Sequence, residues 1–245
     1  MKKMAVRLLV ILLIISISVP CLASDHKRVL IYGDSNSYGW VPVYEPPTTR
    51  YAAEVRWPGV LQTMLGSDYE IIEENLSGRT TDLDQPDRLA GAGLNGALYL
   101  PACLASHLPL DMIVIMLGTN DTKKDFKRTP YDISVGAAHL ISIVKNSTGG
   151  VGTVYPAPKI LLVAPPPLGN IEANPRMAGL FAGGREKSLQ LGKYYKGVAQ
   201  TADIAYLDIA TVVPKADGID GVHLSADSHH KIAAAVAEAI KDILK

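Results

Sequence analysis

The residues that could carry chemistry begin with Ser35, which follows an apolar run through the turn Gly33-Asp34. A serine hydroxyl is a weak nucleophile at neutral pH, so it needs an adjacent base, and a third group must orient that base. Far downstream, Asp220 precedes His223 by three residues, just before the last helical pattern of the chain. These residues predict a nucleophile, Ser35, a base, His223, and the carboxylate that orients the base, Asp220.

Two further positions could stabilise a negatively charged oxygen. Asn120 lies in a Gly-Thr-Asn-Asp stretch directly after another apolar run. A side-chain amide that donates to a developing oxyanion can contribute roughly 10²–10³ in rate. Gly78 follows a third such run, and a glycine lets its backbone N–H approach a substrate without interference from a Cβ atom. We therefore predict an oxyanion hole formed by Ser35, Gly78 and Asn120.

Each of these residues also has a purely structural interpretation. Ser35 could be a helix N-cap, Asn120 could cap a helix or close a turn, and Gly78 could be an ordinary turn glycine. The G-x-S-x-G elbow of α/β-hydrolases is absent, because Gly33 is followed by Asp-Ser-Asn-Ser. A catalytic Ser35 therefore requires a different serine-hydrolase scaffold.

Position selects His223 from the histidines of the chain. His229 and His230 fall inside the last helical pattern, where we expect them to face solvent. No H-x-x-x-H or C-x-x-C spacing accompanies the acidic residues, so we expect no metal site. Acyl transfer through a serine needs no cofactor, and none is expected.

The elements that must position these residues follow a β/α rhythm. Helical spacing of apolar residues recurs at 133–144 and 232–243, and Ser225 is a suitable N-cap for the second of these helices. Pro- and Gly-rich pieces at 41–49, 149–158 and 165–184 are typical of loops. Short runs of strand-forming residues occur at 29–32, 69–73, 112–117, 160–164 and 204–207.

Strands that are apolar on both faces belong in a parallel sheet with both faces covered. Their alternation with helices predicts an α/β fold: a three-layer α/β/α sandwich around a parallel, flavodoxin-like, five-stranded sheet. Ligands bind such sheets outside the carboxyl ends of the strands. The candidate residues follow predicted strands or precede the last helix, so we expect them at this edge.

The N-terminus has the pattern of a secretory signal. Lys2 and Lys3 precede an apolar run at 8–19, and small residues lead to Ala23. The pattern predicts cleavage of residues 1–23 and a single domain of residues 24–245. The run is about a dozen residues, whereas roughly 20 are needed to span a bilayer. We expect a secreted or periplasmic protein with no stable membrane insertion after cleavage; a retained anchor is the alternative.

Charge and cysteine content limit the partners and the sources of stability. Loss of the signal removes three of 24 basic side chains and leaves 21 against 24 acidic ones. This balance provides no electrostatic case for binding nucleic acid. Only Cys103 then remains, so no internal disulfide is expected and stability must come from the core.

Taken in order, these motifs resemble the four blocks of the SGNH, or GDSL, hydrolase superfamily: Gly33-Asp34-Ser35, Gly78, Gly118-Thr119-Asn120-Asp121 and the segment from Asp220 to His223. The chain looks closer to the aryl-esterase and acyltransferase branch, through Trp40-Val41-Pro42-Val43, Arg79-Thr80-Thr81 and Tyr155-Pro156-Ala157-Pro158. The resemblance implies the same roles for Ser35, His223 and Asp220, and the same oxyanion donors.

One departure from the family concerns substrate contact. Asn36 stands where the family has a leucine after the nucleophile. A polar side chain beside the reacting centre would change the polarity of the acyl pocket, so we expect Asn36 to contact the substrate. Trp40, with Tyr38 and Trp57, surrounds the nucleophile loop in sequence and is predicted to wall the pocket; ordinary packing is the alternative.

The expected function is a serine esterase for small acyl esters, aryl or short-chain alkyl, with acyl transfer as a second activity. Its expected partner is a small-molecule ester. Homo-oligomerisation stays open, because the loops around 44–47 and 151–158 could form a subunit interface or a lid. The alternatives are a carbohydrate O-acetylesterase and a non-catalytic, flavodoxin-like binding domain.

Overall fold

A parallel sheet forms the centre of the molecule, for which the computed structural model describes residues 26–85 and 91–245. All five strands pair in parallel in the order β2-β1-β3-β4-β5, the flavodoxin-like order. The predicted fold is confirmed, and each strand end lies within two residues of its prediction. The strands are β1 (Lys27–Gly33), β2 (Tyr69–Asn75), β3 (Met112–Met116), β4 (Lys159–Ala164) and β5 (Ala205–Asp208). The predicted signal, residues 1–23, lies outside the described residues.

Helices follow or precede each strand in the described chain. They are α1 (Ser35–Tyr38), α2 (Trp57–Leu65), α3 (Gly96–His107), α4 (Pro130–Lys145), α5 (Pro175–Leu180), α6 (Gly184–Ala202) and α7 (Ala226–Ile243). The Ser225 hydroxyl accepts the Ser228 N–H and caps α7, as predicted. None of the helices within the described ranges has the length and apolar character needed to cross a bilayer.

Two apolar layers cover the two faces of the sheet. Leu30 and Tyr32 of β1 pack with residues of α3, α4 and α6, whereas Val29 and Ile31 pack with residues of α2 and α7. Successive side chains of a strand point to opposite faces, so one short apolar run supports both layers. Burial of each aliphatic side chain contributes roughly 1.5–3 kcal/mol to the stability of the folded state. The rigid sheet that results presents its carboxyl edge to the candidate site.

The expectation of a continuous loop at 165–184 was wrong, because this segment contains α5. The Asn174 side chain accepts the Met177 N–H at 3.1 Å, and Pro175 at the first helical position has a backbone suited to a helix start. Met177 and Phe181 bury their side chains in a small apolar cluster. A helix of six residues is too short to show a periodic apolar stripe, so composition alone suggested a loop.

Candidate active site

The sheet brings three separate loops together. Ser35 follows β1, Gly78 lies beyond the end of β2, and Asn120 lies beyond the end of β3. Since β1 lies between β2 and β3, the three loops emerge side by side at the carboxyl edge. The segment before α7 adds Asp220 and His223. All five residues predicted from the sequence therefore lie around one point.

A hydrogen-bonded line joins the three predicted catalytic side chains. Ser35 Oγ lies 3.0 Å from His223 Nε2, and His223 Nδ1 lies 2.7 Å from Asp220 Oδ2. Only 5% of Ser35 and 6% of His223 is exposed, and Asp220 is fully buried. In this order, an imidazole can accept a proton from the serine while the carboxylate holds its tautomer.

The environment of Asp220 keeps it ionised. Its Oδ1 accepts the N–H groups of Val222 and His223, each at 2.9 Å. Burial alone would raise the pKa of Asp220, but these bonds and the His223 side chain hold the pKa below its usual value. Gly221 makes the turn possible: its φ of +73° lies in the left-handed region, and a Cβ would approach the Asn170 carbonyl carbon to 2.6 Å.

Trp40 contacts the His223 ring and also lines the cavity at the site. Its ring stacks on the His223 ring with the centroids 5.2 Å apart and the planes 20° from parallel. Trp40 also lines the cavity at the site, where the sequence placed it. Trp57, by contrast, is fully buried beneath the sheet, which is the packing alternative considered for it.

The predicted oxyanion donors face the same cavity. The backbone N–H groups of Ser35 and Gly78 have no acceptor among the described residues, and Gly78 has a φ of +91°. Asn120 Nδ2 donates to the Arg79 carbonyl at 3.1 Å and lies 3.4 Å from Asp34 Oδ2. An asparagine amide has two N–H donors, and the longer contact is weak. The Arg79 bond therefore orients the amide and leaves a donor for an incoming oxygen.

Arg79, which the sequence indicated only as part of the motif Arg79-Thr80-Thr81, is a buried organiser of these loops. It is 2% exposed, and its guanidinium carbon lies 4.3 Å from the Tyr32 ring centroid. It donates to the carbonyls of Gly33 and Gly93, at 3.2 Å and 3.1 Å, while its own carbonyl accepts from Asn120. Its place beside Gly78 was visible in the sequence, but its burial depends on loops that only folding assembles.

Two buried carboxyl groups brace the loops. Asp34 Oδ1 accepts the Asn36 N–H at 2.9 Å and caps α1. Burial raises the pKa of Asp34 to about 7, against the opposing effect of this bond. Asp121 accepts the Thr81 hydroxyl at 2.5 Å, and burial raises its pKa to about 6. Asp121 thereby ties the Asn120 loop to the loop beyond Gly78.

Asn36 is placed differently from the expectation of substrate contact. It is 2% exposed and is not among the residues that line the cavity. Its Nδ2 donates to the Val222 carbonyl at 3.2 Å, in the loop between Asp220 and His223. The first turn of α1 directs the side chain after Ser35 toward that loop. Asn36 therefore connects the serine helix to the histidine loop.

The cavity holds about 240 Å³ and has a mixed wall. One part is apolar, and the other presents neutral and cationic polar side chains; no acidic side chain of the described residues lines it. Its size suits a small ligand. The lining residues are Ser35, Trp40, Ser77, Gly78, Gln85, Leu94, Asn120, Lys123, Arg176, Met177, Leu180, Phe181, Val222 and His223.

The expectation that His229 faces solvent was wrong, whereas His230 is exposed. His229 is fully buried, and its Nδ1 accepts the Trp57 N–H at 3.2 Å. Helix α7 packs its apolar stripe on the sheet, and His229 lies on the buried side because α2 crosses there. Burial lowers the pKa of His229 to about 4, despite the opposing charge of Asp217.

This burial predicts an acid-sensitive contribution to stability. Below about pH 6.5 the unfolded chain protonates His229, but the folded protein resists protonation until about pH 4. The contribution of neutral His229 to the free energy of unfolding is therefore present above pH 6.5 and is lost as the pH falls. In His229→Asn, whose Oδ1 can replace Nδ1 as acceptor, the decrease in unfolding free energy from pH 7.5 to 5 should be smaller by about 2 kcal/mol.

Urea unfolding of both proteins at the two pH values measures this difference. His230→Asn is the matched control, because its side chain is exposed one residue away. Equal pH dependence in the two variants would contradict the assignment to His229.

One group of described residues could hold a metal ion by spacing alone. Donor atoms of Glu74, Cys103 and His107 all lie within 4.8 Å of one another. The Glu74 carboxylate, however, already contacts His107 Nε2 at 2.8 Å and accepts the Tyr99 hydroxyl at 3.2 Å. Burial raises the pKa of Cys103 to about 12, which disfavours the thiolate that a metal requires. The group is a hydrogen-bonded brace between β2 and α3.

A serine, a histidine and an aspartate in a hydrogen-bonded line at the carboxyl edge of a parallel sheet define the serine-hydrolase class of site. The model of the GDSL-like lipase/acylhydrolase family matches residues 31–231. The chain belongs to this family and is an ester hydrolase, so the predicted enzyme class is confirmed. The alternative of a non-catalytic binding domain is not supported.

Solved structures of esterases share the fold and much of the sequence. The aryl esterase of M. smegmatis is 47% identical, with 88% of this chain and 99% of that chain covered and a TM-score of 0.84. A carbohydrate acetylesterase from Sinorhizobium meliloti is 48% identical, with 89% and 99% covered and a TM-score of 0.84. A comparison with curated proteins finds no match.

Proposed function

We propose that this protein hydrolyses small carboxylic esters through a covalent acyl-enzyme on Ser35. The observation that carries the proposal is the line from Ser35 Oγ through the His223 ring to Asp220, at 3.0 Å and 2.7 Å, inside a cavity for a small ligand. Family membership and the esterase relatives support the same chemistry.

In the first half of the reaction, His223 Nε2 takes the proton of the Ser35 hydroxyl as Oγ attacks the ester carbonyl carbon. The carbonyl oxygen becomes an oxyanion, which accepts from the N–H groups of Ser35 and Gly78 and from the Asn120 amide. As the tetrahedral intermediate collapses, the bond to the alkoxy oxygen breaks. His223 gives its proton to the departing alcohol, and the acyl group stays on Ser35.

In the second half, a water molecule occupies the place of the alcohol. His223 removes one proton from it, and the resulting oxygen nucleophile attacks the acyl carbon. The same donors stabilise the second oxyanion, and the proton on His223 returns to Ser35 Oγ as the acid leaves. Asp220 stays ionised throughout and stabilises the protonated imidazole.

Two substrate groups fit the wall of the cavity. The apolar side, with Leu94, Met177 and Phe181, suits aryl or short alkyl groups. The polar side, with Ser77 and Gln85, favours the second candidate, an acetylated carbohydrate. One similar structure is titled an aryl esterase and another a carbohydrate acetylesterase. We place small aryl esters first, because the wall beside Ser35 includes the Trp40 ring.

The deciding experiment compares kcat/KM for phenyl acetate and for an acetylated monosaccharide, with Ser35→Ala beside the parent. A Ser35-dependent preference for phenyl acetate supports the first candidate, and the opposite preference supports the carbohydrate. Addition of a primary alcohol tests acyl transfer: appearance of the new ester, with faster release of phenol, shows that an alcohol replaces water. Turnover of both substrates by Ser35→Ala would contradict the acyl-enzyme.

Asn120→Ala should lower kcat by about 10²-fold or more, with a smaller change in KM. The amide is proposed to bond most strongly to the oxyanion, which exists only in the transition state and the intermediate. Steady-state kinetics on phenyl acetate separates the two parameters. Asn146→Ala is a control, because Asn146 is the exposed C-cap residue of α4. A rise in KM at unchanged kcat would argue against an oxyanion role.

We also propose export, with cleavage of residues 1–23 and a secreted or periplasmic location. The basic residues, apolar run and Ala23 of the N-terminus support it. The expected result is that the intact mass of an exported sample corresponds to a chain that begins at Ser24. An unprocessed chain in the cytoplasm would contradict the proposal.

Homo-oligomerisation stays a prediction, motivated by apolar side chains exposed at Tyr44, Val151 and Val154. Size-exclusion chromatography with light scattering tests it, and a strictly monomeric mass would remove it.

A further inference from the structure

The turn that carries the nucleophile also fixes the position of Trp40. Helix α1 ends at Tyr38. The next two N–H groups, of Gly39 and Trp40, both donate to the Ser35 carbonyl, at 3.0 Å and 3.1 Å. From the other side, the Tyr51 N–H donates to the Gly39 carbonyl at 2.7 Å. Backbone hydrogen bonds therefore hold the backbone of Trp40 in place beside Ser35.

Three contacts hold the His223 ring, two at its edge and one on its face. Asp220 Oδ2 lies 2.7 Å from Nδ1, and Ser35 Oγ lies 3.0 Å from Nε2. These two hydrogen bonds fix the nitrogen atoms but leave the ring free to tilt about the line that joins them. The Trp40 ring covers one face, with the centroids 5.2 Å apart and the planes 20° from parallel, so it limits this tilt.

The stack has an electrostatic consequence once the histidine is charged. The face of an indole ring attracts a cation within about 6 Å of its centroid, and the attraction is larger where water is excluded. The His223 ring lies within that distance, and only 6% of the residue is exposed. A neutral imidazole has no net charge, so the attraction develops only as the Ser35 proton moves to Nε2. An interaction that is stronger in the transition state than in the ground state accelerates the step.

We propose that Trp40 is a positioning residue that accelerates both halves of the reaction by stabilising the protonated His223 ring. The inference rests on the Ser35 esterase function proposed above, and it assigns Trp40 a role beyond that of a cavity wall. In both halves the same ring receives a proton, first from Ser35 and then from water. Because Trp40 acts through the ring, its effect on the two proton transfers is similar.

Substitution of Trp40 tests this role first through kcat. Trp40→Leu should lower kcat for 4-nitrophenyl acetate about tenfold, as expected for the loss of one buried cation–π contact. Trp40→Phe keeps an aromatic face and should lower kcat less, because the phenyl ring attracts a cation more weakly than the indole ring does. Far-UV circular dichroism and urea unfolding establish that both variants are folded.

The pH dependence has a fixed sign. The indole ring favours the cation in the free enzyme as well, where His223 must be neutral to act as a base. Loss of the ring in Trp40→Leu should therefore move the acid limb of the kcat/KM profile to lower pH, by up to about one pH unit for a tenfold effect. The variants leave the other titratable and charged groups around the site in place. These are Asp34, Asp217, Asp220 and His229, with Lys123 and Arg176 in the cavity wall.

Fluorinated tryptophan separates the cation–π contact from a loss of packing. Fluorine atoms weaken the negative potential of the indole face while the ring keeps nearly the same shape. Nonsense suppression places tryptophan with zero, one, two or three fluorine atoms at position 40 alone. We expect kcat to fall with each fluorine, by about threefold for the trifluorinated ring. The same series at position 57 is the matched control, because Trp57 is fully buried among residues of α2 and α7.

The two halves of the reaction distinguish action through His223 from contact between Trp40 and the substrate alcohol. Burst and steady-state rates with 4-nitrophenyl acetate give acylation and deacylation separately. The alcohol has left before deacylation, so a similar fall in both rates supports action through His223. A fall in acylation alone, or a rise in KM at unchanged kcat, would overturn the proposal.

Two further results would also overturn it. One is a kcat in Trp40→Leu equal to that of the parent, or an acid limb that stays in place. The other is a fluorine series at position 40 that is flat, or that matches the series at position 57. Ser35-dependent turnover that is indifferent to Trp40 rejects only the role of Trp40, whereas turnover that survives Ser35→Ala rejects the esterase mechanism itself.

Discussion

Ser35→Ala is expected to lower kcat for phenyl acetate by about 10⁶-fold, to the rate that binding and the oxyanion donors sustain without a nucleophile. Among the described residues, the Ser35 hydroxyl forms one hydrogen bond, to His223 Nε2 at 3.0 Å. Its removal leaves the α1 cap from Asp34 in place. The folded structure should therefore persist, with a change in unfolding free energy below about 1 kcal/mol.

Kinetics and labelling measure this effect together. An organophosphonate probe should add to the parent at Ser35 and fail to add to Ser35→Ala, as read by intact mass and peptide mapping. Ser37→Ala is the matched control: Ser37 is fully buried two residues away, and its hydroxyl has no described partner. Undiminished hydrolysis by Ser35→Ala, or labelling at another serine, would exclude Ser35 as the nucleophile.

Asp220→Asn should lower kcat by about 10⁴-fold while the fold is retained. The asparagine can still accept the N–H groups of Val222 and His223 through its oxygen. Its NH₂ group would then face His223 Nδ1, where the aspartate accepts a hydrogen bond at 2.7 Å. An NH₂ group at that place favours the tautomer that carries the proton on Nε2, which cannot take a proton from Ser35.

Asp217→Asn is the control for Asp220→Asn. It removes a nearby negative charge without changing the group that orients His223. Asp217 accepts from the Ser225 hydroxyl at 2.6 Å and its N–H at 2.9 Å, at the start of α7. Its loss should reduce stability by about 1 kcal/mol and leave kcat close to that of the parent. Near-parental kcat in Asp220→Asn, or an equal loss in Asp217→Asn, would contradict the assigned role of Asp220.

The sheet and the order of its loops could be predicted because they depend on local patterns. The strand around Val29 is a short apolar run, and α7 repeats apolar residues at helical spacing. Both patterns reflect which faces of an element lose contact with water, a property of neighbours in the sequence. Since Ser35 and Asn120 follow strands, the parallel order also placed them at one edge.

Other features depend on contacts between distant segments. His229 belongs to the same amphipathic pattern as exposed residues, yet it is buried because α2 packs across it. Asn36 was expected beside the substrate, but the loop that contains Val222 provides its acceptor. Arg79 is buried because folding brings the Gly33 and Gly93 carbonyls to its guanidinium group, which donates hydrogen bonds to both. No local pattern predicts a partner that lies far along the chain.

By itself, the sequence determined the class of fold, the family, and which serine, histidine and aspartate should meet. Residue type, periodicity and position after a strand suffice for these conclusions. Tertiary structure alone decided the distances among Ser35, His223 and Asp220, the hydrogen bond that orients Asn120, and which side chains line the cavity. Lys123 and Arg176 both line the cavity, although they lie in separate segments of the chain. The free energy of such packing depends on three-dimensional contacts that no single stretch of sequence contains.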